Sequence, residues 1–204
     1  WLLGRFTEPA AWLSARLAYT RTAGKAGAAA LMVGHMVGLG DRHGENILVD
    51  CCSGDVVHVD FSCLFDKGLT LQKPEMVPFR LTQNVIDAFG VSGVEGVFRR
   101  VCEITLSVLR QHKGSILSVM DTFVHDPLVD WARNHQGGSR AAGDEGADNP
   151  YAKDALATIE GRLKGTLLGV SSRPCMPLSV EGQAHRLIEE AASKDNLGAM
   201  YIWW

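Results

Sequence analysis

The sequence predicts an α+β chain that is mostly α, a helical body carrying one short β-hairpin. Three patterns point there. Apolar residues recur at helical spacing from Val94 to Leu109 and again from Ile116 to Val124. Two short β-branched runs flank a Ser-Gly-Asp turn. A polar, glycine-rich stretch then separates this body from two further helical stripes.

Residues 9–39 read as helical, through Trp12, Leu13, Arg16, Leu17 and Tyr19 and then Leu31 to Leu39. Gly24 and Gly27 weaken the middle, so the alanine-rich piece between them is expected to be a loop or a broken helix. Ile47-Leu48-Val49 and Val56-Val57-His58-Val59, joined through Ser53-Gly54-Asp55, read as a hairpin. Residues 60–81 have no periodicity and carry Gly68, Pro74 and Pro78, which predicts a long ordered loop. Val94, Val97, Phe98, Val101, Ile104, Val108 and Leu109 form one face of a helix. The next helix, through Ile116, Leu117, Met120 and Phe123, should stop before Asp126-Pro127, because the residue before proline disfavours helical backbone. Residues 135–149 have almost nothing to bury and read as a flexible linker. Leu156, Ile159, Leu163 and Leu167 mark a helix, residues 172–177 a turn, and Val180, Ala184, Leu187, Ile188 and Ala191 a last helix with Ser179 as its N-cap.

Composition narrows the class. A hydrophobic fraction of 46% supplies a sizeable core for one domain with an appendage. A net charge of -3 gives no electrostatic case for direct nucleic-acid binding. Five cysteines, an odd count without a C-x-x-C pair, predict reduced thiols rather than disulfides or a structural zinc site. No apolar run approaches the roughly 18 residues of a membrane span. The start, Trp1-Leu2-Leu3-Gly4, has no basic segment and reads as internal to a longer protein.

The chemistry concentrates in Gly40-Asp41-Arg42-His43-Gly44-Glu45-Asn46 and, beyond the hairpin, His58-Val59-Asp60-Phe61. The span from Asn46 to Asp60 is centred on Ser53, which predicts that the hairpin sets the Asn46 amide opposite the Asp60 carboxylate. Two oxygen donors on neighbouring strand ends suit magnesium, which takes few protein ligands and fills its shell with phosphate and water. Asp41 lies five residues before Asn46. A carboxylate for the nucleophile, an amide on one metal and a second carboxylate on the metals are the set that phosphoryl transfer requires. Ordinary protein kinases order the tripeptide His-Arg-Asp with Asn five after the Asp; here it is inverted and the interval is kept.

Asp-Arg-His with that interval resembles the phosphatidylinositol-3-kinase superfamily, including its protein-kinase branch. Val57 to Phe65 and Pro74-Glu75-Met76-Val77-Pro78-Phe79-Arg80-Leu81-Thr82 are similar to the ATR/Mec-type checkpoint kinases. Gly93 to Arg100 resembles the ATR and ATM subfamilies alike, His125-Asp126-Pro127-Leu128-Val129-Asp130-Trp131 resembles the end of the family's kinase lobe, and Leu178 to Gln183 with Asn196 to Tyr201 resemble the family's FATC segment. The resemblance implies the C-terminal lobe of a kinase domain over residues 1–136, a linker and regulatory helix over 137–171, and a FATC domain over 172–204. The glycine-rich loop, phosphate-binding lysine and its glutamate partner of the N-terminal lobe would precede Trp1.

On this resemblance Asp41 is the catalytic base and His43 contacts the γ-phosphate. Asn46 and Asp60 bind Mg2+, with Mn2+ as a substitute. Leu48 and Val59 line the floor of the adenine pocket for ATP, and residues 60–80 form the activation loop. The implied activity is Ser/Thr protein kinase acting on Ser/Thr-Gln sites in a nuclear DNA-damage and replication-stress checkpoint. The implied partners are protein substrates and a regulatory subunit held by the N-terminal region. The 204 residues alone are expected to be inactive. A non-catalytic scaffold has no need of Asp41, Asn46 and Asp60 together. A lipid kinase usually has a basic activation loop, whereas here Lys67, Lys73 and Arg80 face Asp66 and Glu75. His58 reads as core or hydrogen-bonded structure, Cys51-Cys52 as inert, and Trp203-Trp204 as packed on the lobe.

Overall fold

The computed structural model describes residues 22–49, 55–124, 150–166 and 176–201. A π-helical turn, Ala23–Gly27, runs directly into α1, Ala28–Val37. The glycine-weakened piece is thus a helix with a local change of winding, a known response to strain within an α-helix. Gly38 ends α1 at φ 66 and ψ 43, and the Leu39 N–H returns to the Gly34 carbonyl at 2.8 Å. This left-handed cap suits glycine, and a Cβ there would also lie 2.5 Å from the Asp66 backbone nitrogen.

The hairpin follows as β1, Ile47–Val49, and β2, Val56–His58, paired antiparallel. Its register is Ile47 to His58, Leu48 to Val57 and Val49 to Val56. Asn46 therefore meets Val59, whose N–H donates to the Asn46 carbonyl at 3.0 Å, and the expected pairing of Asn46 with Asp60 is wrong by one residue. The pairing centre falls between residues 52 and 53, because the connection between the last paired residues, 50–55, has an even number of members. A shift of one exchanges the faces of a strand. Here it puts Leu48, Val57 and Val59 on one face.

Residues 59–82 form an ordered loop with one short 3-10 turn, Lys67–Thr70. Helix α2, Gln83–Ala88, leads through the 3-10 turn Gly93–Glu95 to α3, Val97–Gln111, and then to α4, Lys113–Val124. Helix α5, Pro150–Lys164, precedes α6, Val180–Ala191, and the short α7, Lys194–Gly198. The end expected before Pro127, the linker at 135–149, Leu167, Cys51-Cys52 and Trp203-Trp204 lie outside the described residues.

Helix α3 is the axis of the core. Phe98, Cys102 and Leu106 are buried along it and meet Met32 and Met36 of α1, Ile159 and Leu163 of α5, and Ala184, Leu187 and Ile188 of α6. Phe98 stacks on Phe89 with ring centroids 4.8 Å apart. Each fully buried side chain of this kind contributes about 1.5–3 kcal/mol, and Leu106→Ala would cost about 2–5 kcal/mol. Ser179 caps α6, accepting the Gly182 N–H at 3.0 Å.

Arginines join this core to the loops. Arg162 of α5 places both nitrogen-to-oxygen contacts on the Asp66 carboxylate, at 2.8 and 2.9 Å, and donates to the His35 carbonyl at 3.0 Å. Gln183 donates to the Arg162 carbonyl and accepts from Arg110, which also donates to the Leu178 carbonyl. Arg80 donates to the Tyr201 carbonyl at 3.1 Å, and the Tyr201 ring lies under Lys73 with its hydroxyl donating to Gln72.

Candidate active site

Three stretches of two loops converge beside the hairpin. The first, residues 39–46, leaves α1 at its glycine cap and enters β1. The second begins where β2 ends at His58. The third is the stretch 65–80. Asp41 and Asp60 both adopt left-handed backbone, each at φ 58, as do the adjoining Phe65 and Asp66. Aspartate tolerates this region better than most residues, yet non-glycine residues there are held by their surroundings.

Arg42, 4% exposed, braces the chain next to Asp41 and at Asp60. Its guanidinium donates to the carbonyls of Gly40 at 2.9 Å, Val59 at 2.8 Å and Asn46 at 3.4 Å, and to that of Asp60. One side chain thus ties the loop before β1 to the residues after β2. Burial pulls its pKa down, and the carboxylates of Asp41, Asp60 and Glu75 act against that pull. Sequence reasoning gave Arg42 no role. Nothing in its spacing distinguishes an arginine that donates to backbone from one in solvent.

Asn46 is buried at the start of β1. Its Nδ2 donates to the Asp41 carbonyl at 2.8 Å and lies 3.0 Å from His43 Nε2. The amide nitrogen is engaged within the loop, which leaves Oδ1 as its donor to a cation. His43 Nε2 lies 3.9 Å from Asp41 Oδ2, and its Nδ1 accepts from the Glu45 N–H at 3.3 Å. Asp41, Asn46 and His43 are therefore brought together in one turn of chain.

Asp60 is exposed, and its Oδ1 accepts the Ser62 N–H at 3.0 Å. Hydrogen bonds from Ser62, with the charges of Arg42 and His43, hold its carboxyl below the usual range. The donor set beside Arg42 is a carboxylate and an amide oxygen, hard oxygen ligands that fit Mg2+ better than a softer metal. Leu48 and Val57 are half-exposed cross-strand partners, and the partly buried Val59 shares their face. Val57 extends the apolar surface expected from Leu48 and Val59. His58 is partly buried on the other face, with Nδ1 unpartnered, and burial together with Arg42 lowers its pKa.

Behind the loop, Glu75 accepts the backbone N–H groups of Asp41 at 2.8 Å and Arg42 at 3.3 Å. A small recess of about 30 Å³ lies against Asp41, His43, Lys73, Glu75, Arg80 and Tyr201. A cavity of about 550 Å³ opens between the end of α1, residues 66–78, α5 and α6, and includes none of Asp41, His43, Asn46, Leu48, Val59 and Asp60. Size alone does not locate this site; the convergence of titratable groups does.

Known proteins resemble this chain in sequence and in fold. Residues 1–133 match the phosphatidylinositol 3- and 4-kinase family and residues 177–204 the FATC domain. The chain is 58% identical to the serine/threonine-protein kinase ATR of Oryza sativa subsp. indica and 58% identical to that of Arabidopsis thaliana, over its whole length and 7% of each relative. It is 45% identical to protein kinase rad3 of Schizosaccharomyces pombe, over 8% of that protein. Among solved structures, the FAT and kinase domain of CtTel1 matches 98% of this chain and 13% of its own, with 38% identity and a TM-score of 0.74. With its helical body, its hairpin and its terminal FATC helices, the chain belongs to the phosphatidylinositol 3- and 4-kinase family, on the ATR-type protein-kinase branch.

Proposed function

We propose that this chain supplies the catalytic lobe of an ATR-type serine/threonine protein kinase. The enzyme transfers the γ-phosphate of ATP to Ser/Thr-Gln sites of proteins in a nuclear DNA-damage and replication-stress checkpoint. The observation that carries the reading is the clamp. Arg42 fastens the loop bearing Asp41, His43 and Asn46 to the strand end bearing Asp60, so that three oxygen-bearing side chains share one end of the hairpin. Asp41 orients the substrate hydroxyl and accepts its proton. His43 faces the transferring phosphoryl group. Asn46 Oδ1 and the Asp60 carboxylate hold Mg2+, or Mn2+ in its place. A bound divalent cation supplies positive charge against the phosphoryl oxygens. Leu48 and Val59, with Val57 beside them, offer an apolar floor to adenine. Positioning and charge stabilisation account for most of the rate in such reactions.

The lobe spans residues 1–136, a linker and regulatory helix 137–171, and the FATC domain 172–204. The chain spans about 7–8% of the length of the curated relatives named above. Phosphate-binding groups of an N-terminal lobe and the site for a regulatory subunit belong to the remainder, so the 204 residues alone are inactive. The test is phosphorylation of a Ser-Gln peptide by the full-length kinase carrying this chain, wild type against Asp60→Ala, with ATP and Mg2+. Loss of activity in the variant supports the reading. An unimpaired variant removes the metal assignment, and an inactive wild type under activating conditions favours a scaffold.

A further inference from the structure

We infer that Glu75 is a positioning residue for phosphoryl transfer: its carboxylate accepts the backbone N–H groups of Asp41 and Arg42 and thereby makes the catalytic geometry of residues 39–46 conditional on the folding of residues 65–80. The inference rests on the reading of Asp41 as the catalytic base. Glu75 lies 34 residues from Asp41 in the chain, yet one oxygen is 2.8 Å from the Asp41 nitrogen and the other 3.3 Å from the Arg42 nitrogen. The two N–H groups belong to the peptide planes on either side of Asp41, so one carboxylate fixes the backbone of Asp41 itself, which sits at φ 58, a conformation that non-glycine residues keep only where their surroundings hold it. An ionised acceptor makes both bonds stronger than neutral ones.

The surroundings are shaped for this carboxylate. A Cβ on Gly40 would lie 2.7 Å from Glu75 Oε2 and 2.9 Å from the Gly68 Cα, and a Cβ on Gly68 would lie 2.6 Å from the same oxygen. The two glycines approach each other beside the carboxylate, and a side chain on either would collide with it. Glu75 is itself seated by its own N–H, which donates to the Gly68 carbonyl at 3.0 Å. Thus Gly68, on the turn Lys67–Thr70, and Gly40, next to Asp41, bracket one acidic group from two loops. A loop unfolded at 68–75 withdraws the carboxylate, and Asp41 loses its external support while keeping its own side chain.

The test is steady-state kinetics of the full-length kinase on a Ser-Gln peptide, comparing wild type, Glu75→Ala, Glu75→Gln and Asp60→Ala. A misplaced base lowers turnover without altering binding, so Glu75→Ala is expected to lower kcat by about ten- to hundredfold. KM for peptide and for ATP should stay within about threefold. Glu75→Gln keeps one oxygen acceptor for the Asp41 N–H and should recover most of kcat. An unchanged kcat in Glu75→Ala overturns the inference, as does a loss confined to peptide KM, which would make Glu75 a substrate contact. A glutamine variant as impaired as the alanine one also overturns it. If Glu75→Ala does not fold, hydrogen exchange of Glu75→Asp decides, since the shorter side chain keeps the charge and withdraws the oxygens from the Asp41 and Arg42 N–H groups: faster exchange across residues 39–46 with the rest unchanged supports it, and identical exchange overturns it. Activity retained in Asp60→Ala removes the active-site reading and this inference together. An inactive Asp60→Ala beside a wild-type Glu75→Ala removes the inference alone.

Discussion

Replacing Arg42 by methionine keeps most of the apolar volume and deletes the clamp. Three of its four acceptors are at full strength, the carbonyls of Gly40 and Val59 at 2.9 and 2.8 Å and that of Asp60, while Asn46 at 3.4 Å adds little. At about 1 kcal/mol net for each bond, the loss is about 3 kcal/mol. Removing a buried charge returns part of this, since burial already weighs against the protonated guanidinium. The remaining 2–3 kcal/mol corresponds to about a 30- to 150-fold rise in the equilibrium for local opening. Hydrogen exchange of the full-length kinase reads this directly at the amides of His43 and Asn46, bonded within the clamped loop, and of Val59, bonded across to Asn46. Exchange there should quicken by that factor while the α3 amides keep their protection, and kcat should fall with it. Exchange within about threefold of wild type would refute the reasoning, because the carbonyls would then be held by something other than Arg42.

Gly40→Ala sets a methyl group against the Glu75 carboxylate and the Gly68 Cα, so it should destabilise the loop by about 1–3 kcal/mol and lower activity, read by thermal unfolding beside kinase assays. Cys102 is fully buried, and burial pushes its thiol up to about 12, so it should resist alkylation at pH 8 until the protein is unfolded. Because the folded value is raised, its contribution to stability is intact below about pH 9 and is lost as pH climbs from there to about 12. Cys102→Val should flatten that alkaline limb in a series of unfolding midpoints. Ser179→Ala removes the acceptor for the Gly182 N–H and should cost about 1 kcal/mol, measured as a lower unfolding midpoint.

Where apolar residues recur at helical spacing, the helix was readable. The stripe from Val94 to Leu109 predicts α3 as a helix but not its buried face: Phe98 is core, whereas Val97, Ile104 and Val108 are exposed, and Cys102 and Leu106, unnamed in the stripe, are buried; Val180 to Ala191 predicts α6 with its cap. The hairpin was legible from its β-branched runs, but its register was not, because pairing depends on how many residues the connection holds. Helix α2 escaped notice, being six residues long with none buried. At the site, spacing brought Asp41, Asn46 and Asp60 into one neighbourhood. The backbone support around them, Arg42 and Glu75 on carbonyls and amides, left no mark in residue patterns. Such bonds join a side chain to main chain far away, and main chain is the same at every position.

The arginine contacts share one property with consequences for mutational tolerance. Arg42, Arg80, Arg110 and Arg162 each donate to backbone carbonyls, at Gly40 and Val59, Tyr201, Leu178 and His35 respectively. A carbonyl is present whatever side chain its residue bears. In a saturation scan Arg42, Arg110 and Arg162, each with several acceptors, should therefore accept almost no replacement, lysine included, since its single ammonium cannot span them. At Leu178, by contrast, the side chain should vary more freely than its place in the fold suggests. The donor half of the scaffold is inherited through residue identity, and the acceptor half through the path of the chain.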